Sequence, residues 1–204
     1  MAPLPTYALA YDHLKDILLN QGIQVTIEEL AQTFRPAHLQ KGATYLHAGD
    51  IEHRIAFLHT GFLRYFYITY DGHDVTKHFA MAGDFACSYA SMIYHKPSAY
   101  DIVAEEDCQL LTIDVTSFKT LIEQDRRFER IARLYTEAIY NIKEMREAAL
   151  LTQDATSRYI DFCKQYPGLE SRMRQRHIAT YLGIHPVSLS RIKKEIAANS
   201  RPLT

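Results

Sequence analysis

Residues 174–197, RQRHIATYLGIHPVSLSRIKKEIA, constrain the chain more than any other stretch. Ile178, Ala179 and Leu182 form one short apolar face at helical spacing. Gly183 follows, where a tight turn between helices needs a residue free to take positive φ. Ile184 fills the angle between the two helices. Pro186 suits the first turn of the second helix, where its missing N–H has no helical bond to lose. Leu189, Ile192 and Ile196 recur as that helix's buried face, leaving Ser188, Ser190, Arg191 and Lys194 on the open side. Two short helices, a glycine turn and a basic second helix predict a helix-turn-helix. The competing reading is an ordinary helical hairpin.

Charge sharpens the contrast between this region and the rest. Residues 152–204 hold nine Lys/Arg, Arg201 among them, against four Asp/Glu, a net +5. The other 151 residues hold fourteen against twenty, a net −6. A basic tail on an acidic body fits either a polyanion partner or a solvated basic face. No apolar run approaches the ~18 residues of a membrane span. The start, Met1-Ala2-Pro3-Leu4-Pro5, has neither a basic n-region nor an apolar h-region, so a cytoplasmic protein without a membrane partner is expected. Cys87, Cys108 and Cys163 stand far apart, which excludes a disulfide framework, a CxxC pair and a four-cysteine iron–sulfur cluster.

Along the chain the pattern changes three times. Residues 7–39 read as helical, with Ile27, Leu30 and Phe34 in phase and Pro36 closing the pattern. Residues 42–113 break into short β-rich runs between turn residues: Gly42, Gly49-Asp50, Gly61, Asp71-Gly72, Gly83-Asp84 and Pro97. Asp71-Gly72, between runs 63–69 and 74–79, is a strong hairpin signal. Such spacing predicts an antiparallel barrel, sandwich or jelly roll. Residues 117–151 are helical again. There Ile131, Tyr135, Ala138, Ile142, Met145 and Ala149 follow a 4-3-4-3-4 spacing, the seam of a coiled-coil contact between two chains. The alternative is that this stripe packs on its own barrel. Residues 152–156 form a polar break in which Asp154 can cap a helix over 155–166, ended by Pro167-Gly168.

Taken together, Lys41-Gly42, Gly49-Asp50, the hairpin DGHDVTKHF, Gly83-Asp84-Phe85, the long helix, Asp154 with Arg158, and the terminal phrase around Tyr181-Leu182-Gly183-Ile184 and Ser188-Leu189-Ser190-Arg191 resemble the Crp/Fnr family of transcription regulators. The likeness covers nearly the whole chain and looks nearest to variants of Bacteroidetes type. It implies an α+β protein: a barrel or jelly roll of cyclic-nucleotide-binding type over 1–115, a long dimerisation helix over 116–151, and a winged-helix or helix-turn-helix domain over 152–204. It implies a homodimer on double-stranded DNA, with RNA polymerase as a further partner, and no enzyme activity. The helix from Pro186 would enter the major groove, with Arg191 matching the family's guanine-reading arginine. The family's usual Arg and Glu near that helix start are Pro186 and Val187 here, so its usual target sequence does not carry over. Val187 suits a thymine methyl. Gln175, Arg176, His185, Ser188 and Lys194 suit phosphate contacts, and Ser190 shares their face. Where the family often places a Ser/Thr cap, this chain has Arg174.

Cyclic-nucleotide-binding members carry a Gly-Glu pair after the Gly-Asp-Phe turn and an Arg in a later Pro-Arg-Ser/Thr-Ala phrase. Here Ala86 and Cys87 replace the pair and Ser98 replaces the Arg, so a cyclic phosphate would lack its cation. An effector other than cyclic AMP is expected, or none. Cys87, Ser88, Tyr89, Ser98, Ala99 and Tyr100, with Ser91, Tyr94 and His95, could line a neutral pocket, or simply pack in a dimerisation scaffold. Cys87 could be a redox sensor or inert core. His47, His53, His59, His73 and His78 raise a rival reading as a cupin-like metal-binding barrel, but the His-x-His pair is absent. No metal or other cofactor is expected. A third reading is a protein-binding adaptor with a basic helical tail. No P-loop, GxSxG or HExxH is present.

Overall fold

The computed structural model describes residues 7–199, the side chain of Asn199 apart; Arg201 of the basic tail lies outside the described residues. Two helices, α1 (Ala8–Asn20) and α2 (Ile27–Thr33), replace the single helical stretch expected over 7–39. Gly22, at φ +70°, ends the first pattern. Thr26 restarts it with a capping box: its hydroxyl accepts the Glu29 N–H while the Glu29 carboxylate accepts the Thr26 N–H. Pro36 does not close a helix. It lies in strand β1 (Arg35–Leu39), at a sheet edge where a missing N–H is tolerated.

The strands β2 (Thr44–Leu46), β3 (Arg54–Thr60), β4 (Phe62–Ile68), β5 (Asp74–Met81), β6 (Phe85–Ala86), β7 (Asp101–Ala104) and β8 (Cys108–Asp114) follow, with helix α3 (Tyr89–Tyr94) after β6. They form two four-stranded sheets, in the orders β1-β8-β3-β6 and β2-β7-β4-β5. Apart from β4 and β5, consecutive strands fall in opposite sheets, which is jelly-roll connectivity and not a meander. β3 explains the layering. Its residues Ala56 and Leu58 pack between the sheets with Leu63, Ile102 and Leu110. Its residues Ile55 and Phe57 face the other way, against Leu14 and Leu30 of the first two helices. Successive strand residues point to opposite faces, so a strand apolar on both is covered on both. The Asp71-Gly72 hairpin forms as expected, with Gly72 at φ +81° and the Thr69 N–H donating to the His73 carbonyl at 2.9 Å.

Past β8 the helical stretch expected over 117–151 is divided into α4 (Val115–Gln124) and α5 (Arg126–Thr152). Asp125, in extended backbone, separates them; its carboxylate accepts the Arg127 main-chain N–H at 2.8 Å and the Arg127 guanidinium. Then come α6 (Ala155–Gln165), α7 (Leu169–Arg172), α8 (Gln175–Tyr181) and α9 (Pro186–Asn199). Asp154 caps α6 by accepting the Ser157 N–H at 2.7 Å, and Gly168, at φ +76°, follows that helix's end. Among the described residues no strand follows β8. Among the described residues the C-terminal helices carry no β-wing; between α6 and α8 the chain consists of Pro167-Gly168 and one helical turn. The described chain divides into two compact units. One is the part up to Phe66 with His78–Ala138; the other is Tyr67–Lys77 with the residues from Ile139 onward.

The one-residue turn at Gly61 offers a test of the barrel. Gly61 is at φ +79°, and a Cβ there would meet the Cys108 Sγ at 2.6 Å and the Asp107 carbonyl oxygen at 2.7 Å. Gly72 has a similar φ with open space around it. Gly61→Ala is expected to cost about 2–5 kcal/mol, strain plus overpacking, and Gly72→Ala about 1–2 kcal/mol. Urea unfolding midpoints of the two variants measure the difference.

Candidate nucleic-acid interface and the sensor core

The helix-turn-helix is held by main-chain carbonyls at the end of its first helix. An α-helix leaves its last carbonyls without helical partners. Here Arg146 Nη2 of α5 donates to the Tyr181 carbonyl at 2.9 Å, and Arg158 Nε of α6 donates to the Leu182 carbonyl at 3.0 Å. Two cations at a helix C-terminus also oppose its negative dipole end. Inside the turn, the Ile184 N–H reaches the Ala179 carbonyl at 3.0 Å. Gly183 is at φ +68°, and a Cβ would come within 3.1 Å of the Leu150 side chain. Ile178, Ala179, Leu182, Leu189 and Ile192 are buried as expected, over a cluster of Phe162, Tyr166 and Tyr181 with ring centroids 5.5–5.9 Å apart. Arg174 makes no side-chain cap to α8, so the family's Ser/Thr cap is missing here.

On the open side, Gln175, Arg176, His185, Val187, Ser188, Arg191 and Lys194 are exposed, while Pro186 and Ser190 are half-buried. Val187, Ser188, Arg191 and Lys194 fall on one stripe of α9. His185 acts within its own turn, where its Nδ1 accepts the Val187 N–H at 3.3 Å and closes the start of α9. Two nearby lysines are compensated within the domain, Lys193 by Glu170 and Lys164 by Asp161. The stripe's own cations are thus Arg191 and Lys194.

The expected seam of α5 separates into three environments. Ile131 is buried, and Tyr135 packs on the same core with its hydroxyl donating to the Phe85 carbonyl at 3.1 Å. Those two residues belong to the barrel's own core. Ile142 and Ala149 are half-buried and border a cavity. Ala138 and Met145 are exposed. The exposed face they share continues through Asn141, Ala148 and Thr152, again at 3-4 spacing. Sequence periodicity alone could not choose between the two stripes, which are one residue apart.

The proposed effector residues differ in exposure and surroundings. Ala99, Tyr94 and His95 are exposed. Cys87 is buried, which favours its inert reading. It borders, with Tyr89, Ile131 and Tyr135, a cavity of about 30 Å³, room for little more than one water. Ser88, Ser98 and Tyr100 are buried and joined to one another: Ser88 Oγ lies 3.0 Å from Ser98 Oγ, which donates to the Tyr100 carbonyl at 2.8 Å. Sequence reasoning missed Glu52, which is 3% exposed. Its carboxylate accepts the Ser88 N–H at 2.8 Å and the Arg54 N–H at 3.1 Å, and its own N–H donates to Ser91 Oγ. A lone Glu in a turn carries no periodic signal, so only the fold reveals it. Next to Ser88 this buried carboxyl opposes an anionic ligand. Of the barrel histidines, His47, His53 and His73 are exposed, His59 pairs with His13 at 3.2 Å, and His78 lies beside the Tyr65 ring. Among the described residues no group of three or more His, Cys, Asp or Glu could hold a metal ion.

Burial pushes the Glu52 carboxyl above its ordinary value of 4.5, against the lowering effect of the two N–H bonds. A raised acid contributes its stability in the protonated state, and loses it as pH rises through the folded-state value. Glu52→Gln sets an amide NH2 against a main-chain N–H and is expected to cost about 1–3 kcal/mol below pH 4.5. The gap between wild type and Glu52→Gln should narrow toward neutral pH, because only the wild type then buries a charge. Urea titrations across that range check the sign.

Residues 36–125 match the family model described as the cyclic nucleotide-binding domain. Among solved structures, the chain is similar to FixK2 from Bradyrhizobium japonicum, at 16% identity, 81% of this chain and 85% of that one, with a TM-score of 0.71. It is similar to a CooA mutant from Carboxydothermus hydrogenoformans at 19% identity, with 89% and 83% covered and a TM-score of 0.66. A protein from Eubacterium rectale described as a transcriptional regulator of the Crp/Fnr family matches at 15% identity, with 89% and 87% covered and a TM-score of 0.69. A comparison with curated protein sequences yields no match. Residues 36–125 therefore match the cyclic nucleotide-binding domain family, and the described chain shares its fold with solved structures that include a Crp/Fnr regulator.

Proposed function

We propose that this protein is a homodimeric, sequence-specific DNA-binding transcription regulator and not an enzyme. The observation that carries it is the exposed stripe of Val187, Ser188, Arg191 and Lys194 on a helix-turn-helix whose turn is clamped by two arginines. A rigid second helix with a basic open face is what major-groove entry requires. Arg191 reads a base edge, Val187 offers an apolar contact, and Gln175, Arg176, Ser188 and Lys194 meet phosphates. His185 acts chiefly by ordering the start of α9, as its bond to the Val187 N–H supports. RNA polymerase is a further partner in this reading. The barrel does not answer to cyclic AMP: Ser98 supplies no cation, and Glu52 stands buried beside Ser88. The sensor domain spans residues 1–115, the dimerisation helix 116–151 and the DNA-binding domain 152–204, with residues 152–156 as the hinge through which any effector acts.

The dimer forms through the exposed face of α5: Ala138, Asn141, Met145, Ala148 and Thr152. An asparagine between Ala138 and Met145 in that seam fixes register at some expense in stability. Met145→Glu is expected to convert dimer to monomer in sedimentation experiments. An unchanged dimer would remove α5's exposed face from the interface.

Selection of bound sequences from random duplex DNA tests the main reading. The expected result is a near-palindrome with half-sites about ten base pairs apart. On that site Arg191→Ala should weaken binding about 10–100-fold while changing non-specific binding far less. Equal losses on both would show that Arg191 does not read a base.

A further inference from the structure

The second compact unit contains a cavity of about 460 Å³ between the C-terminal part of α5, α6 and the end of α8. Ile142, Ala149, Leu150 and Phe162 give it an apolar wall. Arg146, Gln153, Arg158, Asp161 and Lys164 give it a polar side. The charges there do not balance. Lys164 is 3.2 Å from Asp161, so that pair is neutral. Arg146 and Arg158 direct their hydrogen bonds to the main-chain carbonyls of Tyr181, Leu182 and Gln153. Among the described residues no ion pair joins either guanidinium to a carboxylate, although the Arg158 charge acts on Asp154 four residues before it, which leaves Arg146 the less compensated of the two. Hydrogen bonding is also incomplete: Arg146 Nε and Gln153 Oε1 are buried without a partner, one a donor and one an acceptor. Native proteins rarely leave such groups unmatched, and each carries a desolvation penalty. The Arg146 guanidinium lies 4.7 Å from the centre of the Tyr181 ring, which fixes its plane from one side.

We infer that this cavity is a binding site for a small amphipathic carboxylic acid with a mono- or bicyclic apolar body and one hydroxyl or N–H donor. Its volume falls in the range of small-molecule sites. The carboxylate meets the Arg146 guanidinium, with Arg158 beside it in the lining, and gives Arg146 Nε an acceptor. The donor meets Gln153 Oε1. The ring fills the wall of Ile142, Ala149, Leu150 and Phe162. Both orphaned atoms are sealed from solvent as the side chains stand, so binding turns the outer torsions of Arg146 and Gln153. The inference is independent of the DNA reading, because it concerns binding to the free protein.

Isothermal titration of the full chain with three probes tests it. Indole-3-acetate carries all three features, naphthalene-1-acetate lacks the N–H, and indole-3-acetamide lacks the charge. Indole-3-acetate is expected to bind. Naphthalene-1-acetate should bind about 5–10-fold more weakly, the worth of one hydrogen bond, and indole-3-acetamide at least about tenfold more weakly. Gln153→Leu should erase the preference for indole over naphthalene, and Ala149→Trp should block all three by filling the cavity. Circular dichroism confirms that each variant is folded. No binding of any probe at about 1 mM would overturn the inference, as would equal affinity for all three. Binding that appears only in Ala138→Glu, a charge placed on the same exposed face of α5 but outside the cavity lining, would also overturn it, in favour of a second copy of the chain as occupant.

Discussion

The C-terminal unit depends on two arginines meeting the carbonyls at the end of α8. Arg146 and Arg158 come from different helices, and their targets, Tyr181 and Leu182, are adjacent. Without them the turn of the helix-turn-helix would end in main-chain acceptors with no protein partner. With them, the turn is tied both to α5 and to α6. The exposed residues of α9 can then be presented in a fixed pose, because behind them lie apolar packing, neutral hydrogen bonds within the turn and the charge-assisted bonds of the two arginines. Arg158 also reaches the Gln153 carbonyl, in the short break between α5 and α6. One side chain therefore joins that break to the recognition turn. A change in the break has a direct physical route to α9.

The barrel shows the opposite use of polarity. Four of its buried polar residues are joined to one another. Glu52, Ser88, Ser91, Ser98 and the Tyr100 carbonyl make a closed set of hydrogen bonds inside a jelly roll. The family match and the fold place this domain with the cyclic nucleotide-binding domains. Within that set stand a carboxyl and serines and no cation, whereas a buried anion requires one.

Local signals were legible where one interaction decides a conformation. The Asp71-Gly72 turn, the Asp154 cap and the glycine of the helix-turn-helix all formed as their chemistry predicts. The long helical stretches were less legible. Gly22 with the Thr26 capping box, and Asp125 with Arg127, each divide a pattern that periodicity reads as continuous. Pro36 reads as a helix stop, yet an edge strand accommodates it equally well. On α5 the periodic stripe through Ile131 and Tyr135 is real, but its first turns are consumed by the barrel core.

The amino-acid sequence by itself determined the succession of a helical start, a β-rich middle and a helical end, the second helix of the helix-turn-helix with its open face, and the serine at position 98 in place of a cation. Each follows from spacing and residue type within a few turns of chain. Tertiary structure alone decided which α5 face is left exposed, that Glu52 is buried beside Ser88, that Arg146 and Arg158 converge on one turn, and that a cavity with two unmatched polar atoms lies beside them. Those outcomes depend on contacts between residues distant in the chain. Periodicity records how a residue is oriented on its own helix or strand, and carries no information about what another element brings to meet it.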